Sequence, residues 1–219
     1  MLDLSKNISL IAIGSTRIKE THLAIRKCCS LARFSSVMYF TNKSNIRCND
    51  YVKYIEIPEI KSKLEYQSFV VKDFPSYVLP HLNDESHVLT ISWDGFIVNP
   101  NAWKDYFLEF DYIGAPWIKE ASPILAGYCG NGGFCLKSRK FLEVQDSIEE
   151  FRQYTPAIDR YEDVTLSFKF RNRFEALGCS YAPVFVGHEF STEHGDYDKH
   201  KSFGFHNLRI NKRFVNKLL

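Results

Sequence analysis

Apolar runs and helical stripes alternate along this chain, and their order predicts an α/β fold. Ile8-Ser9-Leu10-Ile11-Ala12-Ile13 is a nearly continuous apolar run that ends in the small polar turn Gly14-Ser15-Thr16-Arg17, as a buried strand does. From Thr21 to Ala32 the apolar positions Leu23, Ile25, Cys28, Cys29, Leu31 and Ala32 recur near the helical period. Val37-Met38-Tyr39-Phe40 predicts a second strand, closed by Thr41-Asn42-Lys43, and the alternating stretch Tyr51 to Ile57 a third, stopped by Pro58. This β-α-β-β opening predicts a mainly parallel sheet flanked by helices, in a single domain.

Farther on, Tyr66 to Leu79 reads as a helix that Pro75 kinks or divides. His87 to Ile91 is a second run of the buried, parallel kind and leads into Trp93-Asp94-Gly95-Phe96. Asn99-Pro100-Asn101 starts a short amphipathic helix, Ala102 to Phe110, with Trp103, Phe107 and Phe110 on one side, and Asp111 to Trp117 is extended. A loop from Ile118 to Tyr128 precedes the Gly-rich strand Gly130 to Leu136, which enters a helix at about Ser138. Glu162 to Leu177 is a helix ended by Gly178, Tyr181 to Val186 a strand, Gly195 to His200 a polar loop, and Asn207 to Leu219 a basic terminal helix.

Composition narrows the function classes. The 219 residues are 45% hydrophobic and 25% charged, which suits one folded domain. A net charge of +2 argues against a nucleic-acid binder. The six cysteines, Cys28, Cys29, Cys48, Cys129, Cys135 and Cys179, contain no C-x-x-C pair, so neither a zinc framework nor a secreted disulfide scaffold is indicated. They are expected to be reduced thiols in a cytoplasmic protein. No stretch reaches the ~18 apolar residues of a membrane span, and Ile8 to Ile13 is too short for a signal peptide.

Four segments are candidates for chemistry. Asp94 follows a buried strand, where open α/β sheets bind ligands, so its carboxylate suits a metal or a phosphate-bearing ligand. The bland alternative is an Asp that only braces the Gly95 turn. Gly130-Asn131-Gly132-Gly133 bares backbone beside a strand, either for close ligand approach or as a tight turn. Glu162-Asp163 at a helix start offers a general base, or merely a favourable interaction with the helix dipole. His206 in Phe203-Gly204-Phe205-His206 is either a structural imidazole or, with a carboxylate, part of a divalent-ion site.

In their order these segments resemble GT-A-type glycosyltransferases, and more narrowly a poorly characterised bacterial and viral family of that kind. The resemblance is borne by Trp93-Asp94-Gly95-Phe96, Tyr112-Ile113-Gly114-Ala115-Pro116-Trp117, Gly130-Asn131-Gly132-Gly133-Phe134, Glu162-Asp163-Val164, Ala182-Pro183-Val184, Phe190-Ser191-x-Glu193 and Phe203-Gly204-Phe205-His206. It implies a Rossmann-like GT-A fold with a nucleotide-binding half at about 1–98, an acceptor and catalytic half at about 99–206, and a basic C-terminal helix at 207–219. It also implies Asp94 and His206 as ligands of Mn²⁺ or Mg²⁺. Gly14, Ser15, Thr16, Arg17 and Trp93 would face a nucleotide-sugar, and Gly132 and Gly133 would lie along the donor sugar. Asp163, with Glu162 beside it, would deprotonate an acceptor hydroxyl, giving inversion, and Trp117 and Tyr128 would stack on acceptor sugars. Ser92 stands where the first acid of an Asp-x-Asp motif would fall, which leaves one carboxylate fewer.

The function expected is transfer of a sugar from a nucleotide-sugar to a glycan or lipid-linked acceptor. The alternatives are a non-catalytic nucleotide- or glycan-binding module, which Ser92 favours, and a metal-dependent phosphoesterase, disfavoured by the scarcity of acids. The terminal stretch Leu208 to Leu219 either packs on the domain or touches the anionic inner face of a membrane.

Overall fold

The computed structural model describes residues 1–45, 51–120, 122–155, 161–194 and 201–207. The expected loop 195–200 and terminal helix 208–219 lie outside the described residues.

A short strand β1 (Leu2–Leu4) precedes β2 (Ile8–Ile13), every residue of which is buried. Its side chains divide between two cores, Ile8, Leu10 and Ala12 on one face of the sheet and Ile11 and Ile13 on the other. That two-sided burial is why the run lacks polar alternation. Helix α1 (Ile18–Leu31) packs Ala24, Ile25 and Cys28 on the first core. It leads through β3 (Ala32–Phe34), paired with β1, to β4 (Val37–Thr41) and then β5 (Lys53–Glu56).

Pro75 divides the next helical stretch, as its ring requires. Ser62 caps α2 (Lys63–Lys72), and α3 (Phe74–Val78) restarts with Pro75 in its first turn. Strand β6 (His87–Ile91) then returns to the other flank of β2. The chain continues through β7 (Phe96–Ile97), β8 (Tyr112–Ile113), β9 (Phe134–Ser138), α4 (Arg139–Ser147) and α5 (Glu149–Arg152). Next come α6 (Glu162–Val164), a π turn at Thr165–Lys169, α7 (Arg171–Ala176), α8 (Val184–Phe190), β10 (Ser191–Thr192) and β11 (Gly204–Phe205).

The main sheet has the order β5-β4-β2-β6-β9-β8 and is parallel except for β9, which runs against both its neighbours. The expected mainly parallel sheet between helices is therefore present. A second sheet, β10-β11-β7, stands beside it. Ahead of β9, Trp117 N–H donates to Tyr128 C=O at 3.1 Å and Pro116 bridges Cys129, so the two ends of the intervening loop are tied together.

Several expected elements differ. Ala102 to Phe110 is not one helix but two 3₁₀ turns, Pro100–Ala102 and Asp105–Glu109, split at Trp103 and Lys104, the second of which has an extended backbone. Trp103 and Phe107 still face the core together, edge to face with ring centroids 5.3 Å apart. Only Tyr112–Ile113 of the Asp111–Trp117 stretch is strand. Tyr181 to Val186 is not a strand: Tyr181 makes a single bridge to Tyr112, and Pro183, unable to donate to a ladder, caps α8 instead. The Glu162–Leu177 helix is real but interrupted by the π turn, and Gly178 closes it at φ +86°. Among the described residues the cysteines are free thiols, and no helix is long and apolar enough to cross a membrane.

Candidate active site

Strands β2 and β6 sit side by side at the centre of the sheet, but the chain leaves β2 towards β4 and β5 and later returns to β6. The carboxyl ends of such a strand pair open a crevice between diverging connections. Here a cleft of about 780 Å³ lies at that point. The β2 end contributes Gly14 to Arg17 and the β6 end Ser92, Trp93 and Asp94. Gly14 has φ +144°, a conformation that side chains resist, and Arg17 is left-handed at φ 52° as the cap of α1. The turn is pinned where Ile60 N–H donates to Ser15 Oγ at 2.9 Å, and the Arg17 guanidinium lies 4.4 Å from the Trp93 ring centre. Lys61 and Lys63 add positive charge on that side.

The small second sheet builds the next wall by register. Phe205 pairs with Phe96 and with Thr192, so Asp94, Glu193 and His206, just outside the paired residues, emerge at one edge. His206 Nε2 is 3.4 Å from Asp94 Oδ1, and its Nδ1 is 3.4 Å from Glu193 Oε1. Ser92 Oγ donates to Asp94 Oδ1 at 2.8 Å. Burial alone would push the Asp94 carboxyl up, but His206 and Ser92 outweigh it and hold the group below its ordinary value. For His206 burial works against the charge, yet the two carboxylates win and raise the imidazole to about 10.

Across the cleft, Glu162 and Asp163 begin α6. Asp163 Oδ1 accepts from its neighbour Val164 N–H at 2.7 Å, and Oδ2 from Gly132 N–H at 3.3 Å. Burial first, then the like charges of Glu162 and Glu193, push the Asp163 carboxyl up to about 8. Burial raises Glu162 as well. Gly133 lines the cleft between the walls, and Gly132 stands beside it against Glu162 and Asp163. A Cβ on Gly133 would fall 2.0 Å from His206 Nε2, and one on Gly132 would meet Glu162 Oε1 at 3.1 Å. These glycines are fixed by what crosses them, not by the turn alone.

Trp117 lines the cleft, although the residue is only 7% exposed. Tyr128 is not brought to it: its ring stands edge-on to Phe168 at 4.9 Å, with the Arg171 guanidinium 5.5 Å from its centre. Its expected part in acceptor stacking finds no support in this placement. Glu193, Asn131, Tyr66, Lys61 and Lys63 line the cleft without having been singled out as site residues from the sequence. For Glu193 the available signal was its place in the run Phe190-Ser191-x-Glu193, which the resemblance included without giving the residue a role.

Among the described residues no three His, Cys, Asp or Glu side chains converge as a ready metal site. A two-ligand arrangement does fit. At 3.4 Å from each other, Asp94 Oδ1 and His206 Nε2 are close enough that the two groups could hold one divalent ion between them. His206 Nδ1 and Glu193 Oε2 are buried without a hydrogen-bond partner, so this wall is not closed on itself.

Comparison with known proteins bears on the fold and the family. The sequence profile of a family described as "Protein of unknown function (DUF5672)" matches residues 51–206. No curated protein matches. Among solved structures the chain is similar to a glycosyltransferase involved in the glycosylation of the major capsid of PBCV-1. That similarity has a TM-score of 0.57 at 14% identity and covers 97% of this chain and 98% of the other. It is also similar to 4-diphosphocytidyl-2C-methyl-D-erythritol synthase from Anaerococcus prevotii DSM 20548, with a TM-score of 0.43 at 11% identity over 77% of this chain and 83% of that one.

Proposed function

The chain belongs to the DUF5672 family of proteins of unknown function, and from that premise we propose that it is a GT-A-type, metal-assisted glycosyltransferase. It would move a sugar from a nucleotide-sugar to a hydroxyl of a glycan or lipid-linked acceptor, with inversion. One observation is the main support: an Asp–His wall and a carboxyl wall of raised pKa meet on two adjacent glycines, Gly132 and Gly133, in one cleft at the sheet's switch point. The fold shared with a solved glycosyltransferase is consistent with it.

In this reading Arg17, Lys61, Lys63 and the free N–H groups at the start of α1 hold the donor's phosphates. A divalent cation, Mn²⁺ or Mg²⁺, held by Asp94 and His206 would neutralise the diphosphate as it leaves. Gly132 and Gly133 would lie along the donor sugar, their missing side chains leaving room for His206 and Glu162 beside it. Asp163 accepts the acceptor's hydroxyl proton while that oxygen bonds to the anomeric carbon from the face opposite the departing diphosphate. Its raised pKa makes it a stronger base than an ordinary carboxylate, provided the pH is high enough to ionise it. Trp117 offers a sugar-facing edge.

The test is a thermal-shift screen of nucleotide-sugars with and without Mn²⁺, followed by measurement of nucleoside diphosphate release with acceptors. A ligand at 100 times its Kd stabilises by about 2.7 kcal/mol, a readily measured shift. Ser92 in place of an acid supports a second reading, a binding module without turnover. Binding with no diphosphate release against any acceptor selects it.

A further inference from the structure

Of the residues around His206, Glu193 has no part in the reaction just described, yet it is 6% exposed and lines the cleft. Burying a carboxylate without a partner is unfavourable, so its surroundings should say what it is for. Oε1 lies 3.4 Å from His206 Nδ1 and accepts from Asn207 Nδ2 at 3.4 Å, while Oε2 is 3.6 Å from His194 Nε2. The His206 backbone is fixed by its N–H to Thr192 C=O at 3.0 Å, and its ring lies against Gly133. These contacts fix where the ring is and turn Nε2 to Asp94, but they do not set which nitrogen carries the proton of the neutral ring.

We propose that Glu193 is a positioning residue for His206, accepting from Nδ1–H so that the lone pair of Nε2 is presented to a divalent cation shared with Asp94. Glu193 is not itself a ligand in this arrangement. Asp94 stands at one nitrogen and Glu193 at the other, so the ring lies between them and one ion cannot reach both without displacing it. A carboxylate behind a metal-binding imidazole sets its tautomer and orientation, and losing it commonly weakens metal affinity by about 10- to 100-fold. Nδ1 has no hydrogen-bond partner at its 3.4 Å from Oε1, so this contact can tighten when Nε2 is engaged. The cation belongs to the reading above; the coupling of Glu193 to His206 does not depend on it.

The experiment uses the full chain as wild type, Glu193→Ala, Glu193→Gln, His206→Ala and the double Ala variant. Mn²⁺ affinity is taken from the electron paramagnetic resonance signal of free Mn²⁺, with and without uridine diphosphate. The His206 ring is followed by ¹⁵N NMR in metal-free protein, its signals assigned by their loss in His206→Ala. Glu193→Ala should weaken Mn²⁺ binding about 10- to 100-fold and shift the Nδ1 resonance. Glu193→Gln should restore most of the affinity, because its amide oxygen still accepts from Nδ1–H. Glu193→Ala should add nothing in the His206→Ala background. Wild-type affinity with an unmoved ring signal in Glu193→Ala overturns the proposal, as do losses that add in the double variant. If Glu193→Ala does not fold, Glu193→Asp takes its place: its shorter side chain reaches Nδ1 less well, so this variant should bind Mn²⁺ more weakly than Glu193→Gln, and equal or tighter binding overturns the idea. Should wild type bind no Mn²⁺ in either condition, the metal reading fails. The positioning role then stands if the ring signal moves in Glu193→Ala and falls if it does not.

Discussion

Asp94 and Asp163 are aspartates of one cleft, yet their surroundings drive them in opposite directions. Asp94 is held below its ordinary pKa by the His206 imidazole and the Ser92 hydroxyl, which outweigh its burial. Asp163 is raised by burial and by the charges of Glu162 and Glu193, with only two backbone N–H groups to oppose them. A carboxylate that keeps its charge at neutral pH suits binding, whereas one poised near neutrality suits proton transfer. The first wall is tied together by strand pairing and the second stands at the start of a short helix ahead of a π turn, so the two can be perturbed separately.

The largest effect is expected from Asp163→Asn. General-base catalysis contributes about 10²–10⁴-fold, so kcat should fall by that factor while donor affinity stays near wild type. Loss of donor binding in a folded Asn variant would erase the division between the walls. The glycine pair permits a finer separation. Gly133→Ala places a Cβ 2.0 Å from His206 Nε2, and the displaced ring should weaken Mn²⁺ binding, on the order of tenfold or more. Gly132→Ala meets only Glu162 Oε1 at 3.1 Å and the Asp163 Cβ at 3.3 Å, so its smaller effect should fall on kcat. Equal Mn²⁺ affinities in the two variants would count against the assignment.

Next comes pH. With Asp163 raised to about 8, the fraction able to accept a proton grows with pH up to that value. Below it kcat/KM should climb about tenfold per pH unit, and this limb should be missing in Asp163→Asn. The smallest effect concerns stability. A carboxyl with a raised folded-state pKa binds its proton more tightly folded than unfolded, so its stabilisation is complete below the unfolded value of about 4. That stabilisation is lost as pH rises towards 8. Melting temperatures should therefore decline less between pH 5 and 8 in Asp163→Asn than in wild type, a difference calorimetry can read.

The strands that frame the cleft were legible because burial on both faces leaves a continuous apolar run, as in Ile8–Ile13 and His87–Ile91. Pro75 marked the break between α2 and α3 for an equally local reason. Tyr181 to Val186 misled because its Val-Phe-Val content resembles a strand, while Pro183 decided for a helix start. The π turn at Thr165–Lys169 left no trace in the apolar spacing. At the site, Asp94, Asp163 and His206 were visible as acids and an imidazole at element ends. Glu193 stood in the Phe190-Ser191-x-Glu193 run without a role, because its place beside His206 depends on the pairing of Ser191-Thr192 with Gly204-Phe205, which no local pattern states. Tyr128, which the resemblance offered for stacking on a sugar, has Phe168 and Arg171 around its ring, a placement that no local pattern states.

The tie between Trp117 and Tyr128, backed by the Pro116–Cys129 bridge, makes the loop between them an interchangeable part. Both ends are anchored ahead of β9, so what is threaded between them need not change the register of the sheet. Doubling the length of a flexible loop costs only about 0.6 kcal/mol. Ser122 and Leu125 of this loop form part of the cleft's lip. A graft at this socket can therefore remodel the lip while leaving Asp94, His206 and Asp163 where they stand.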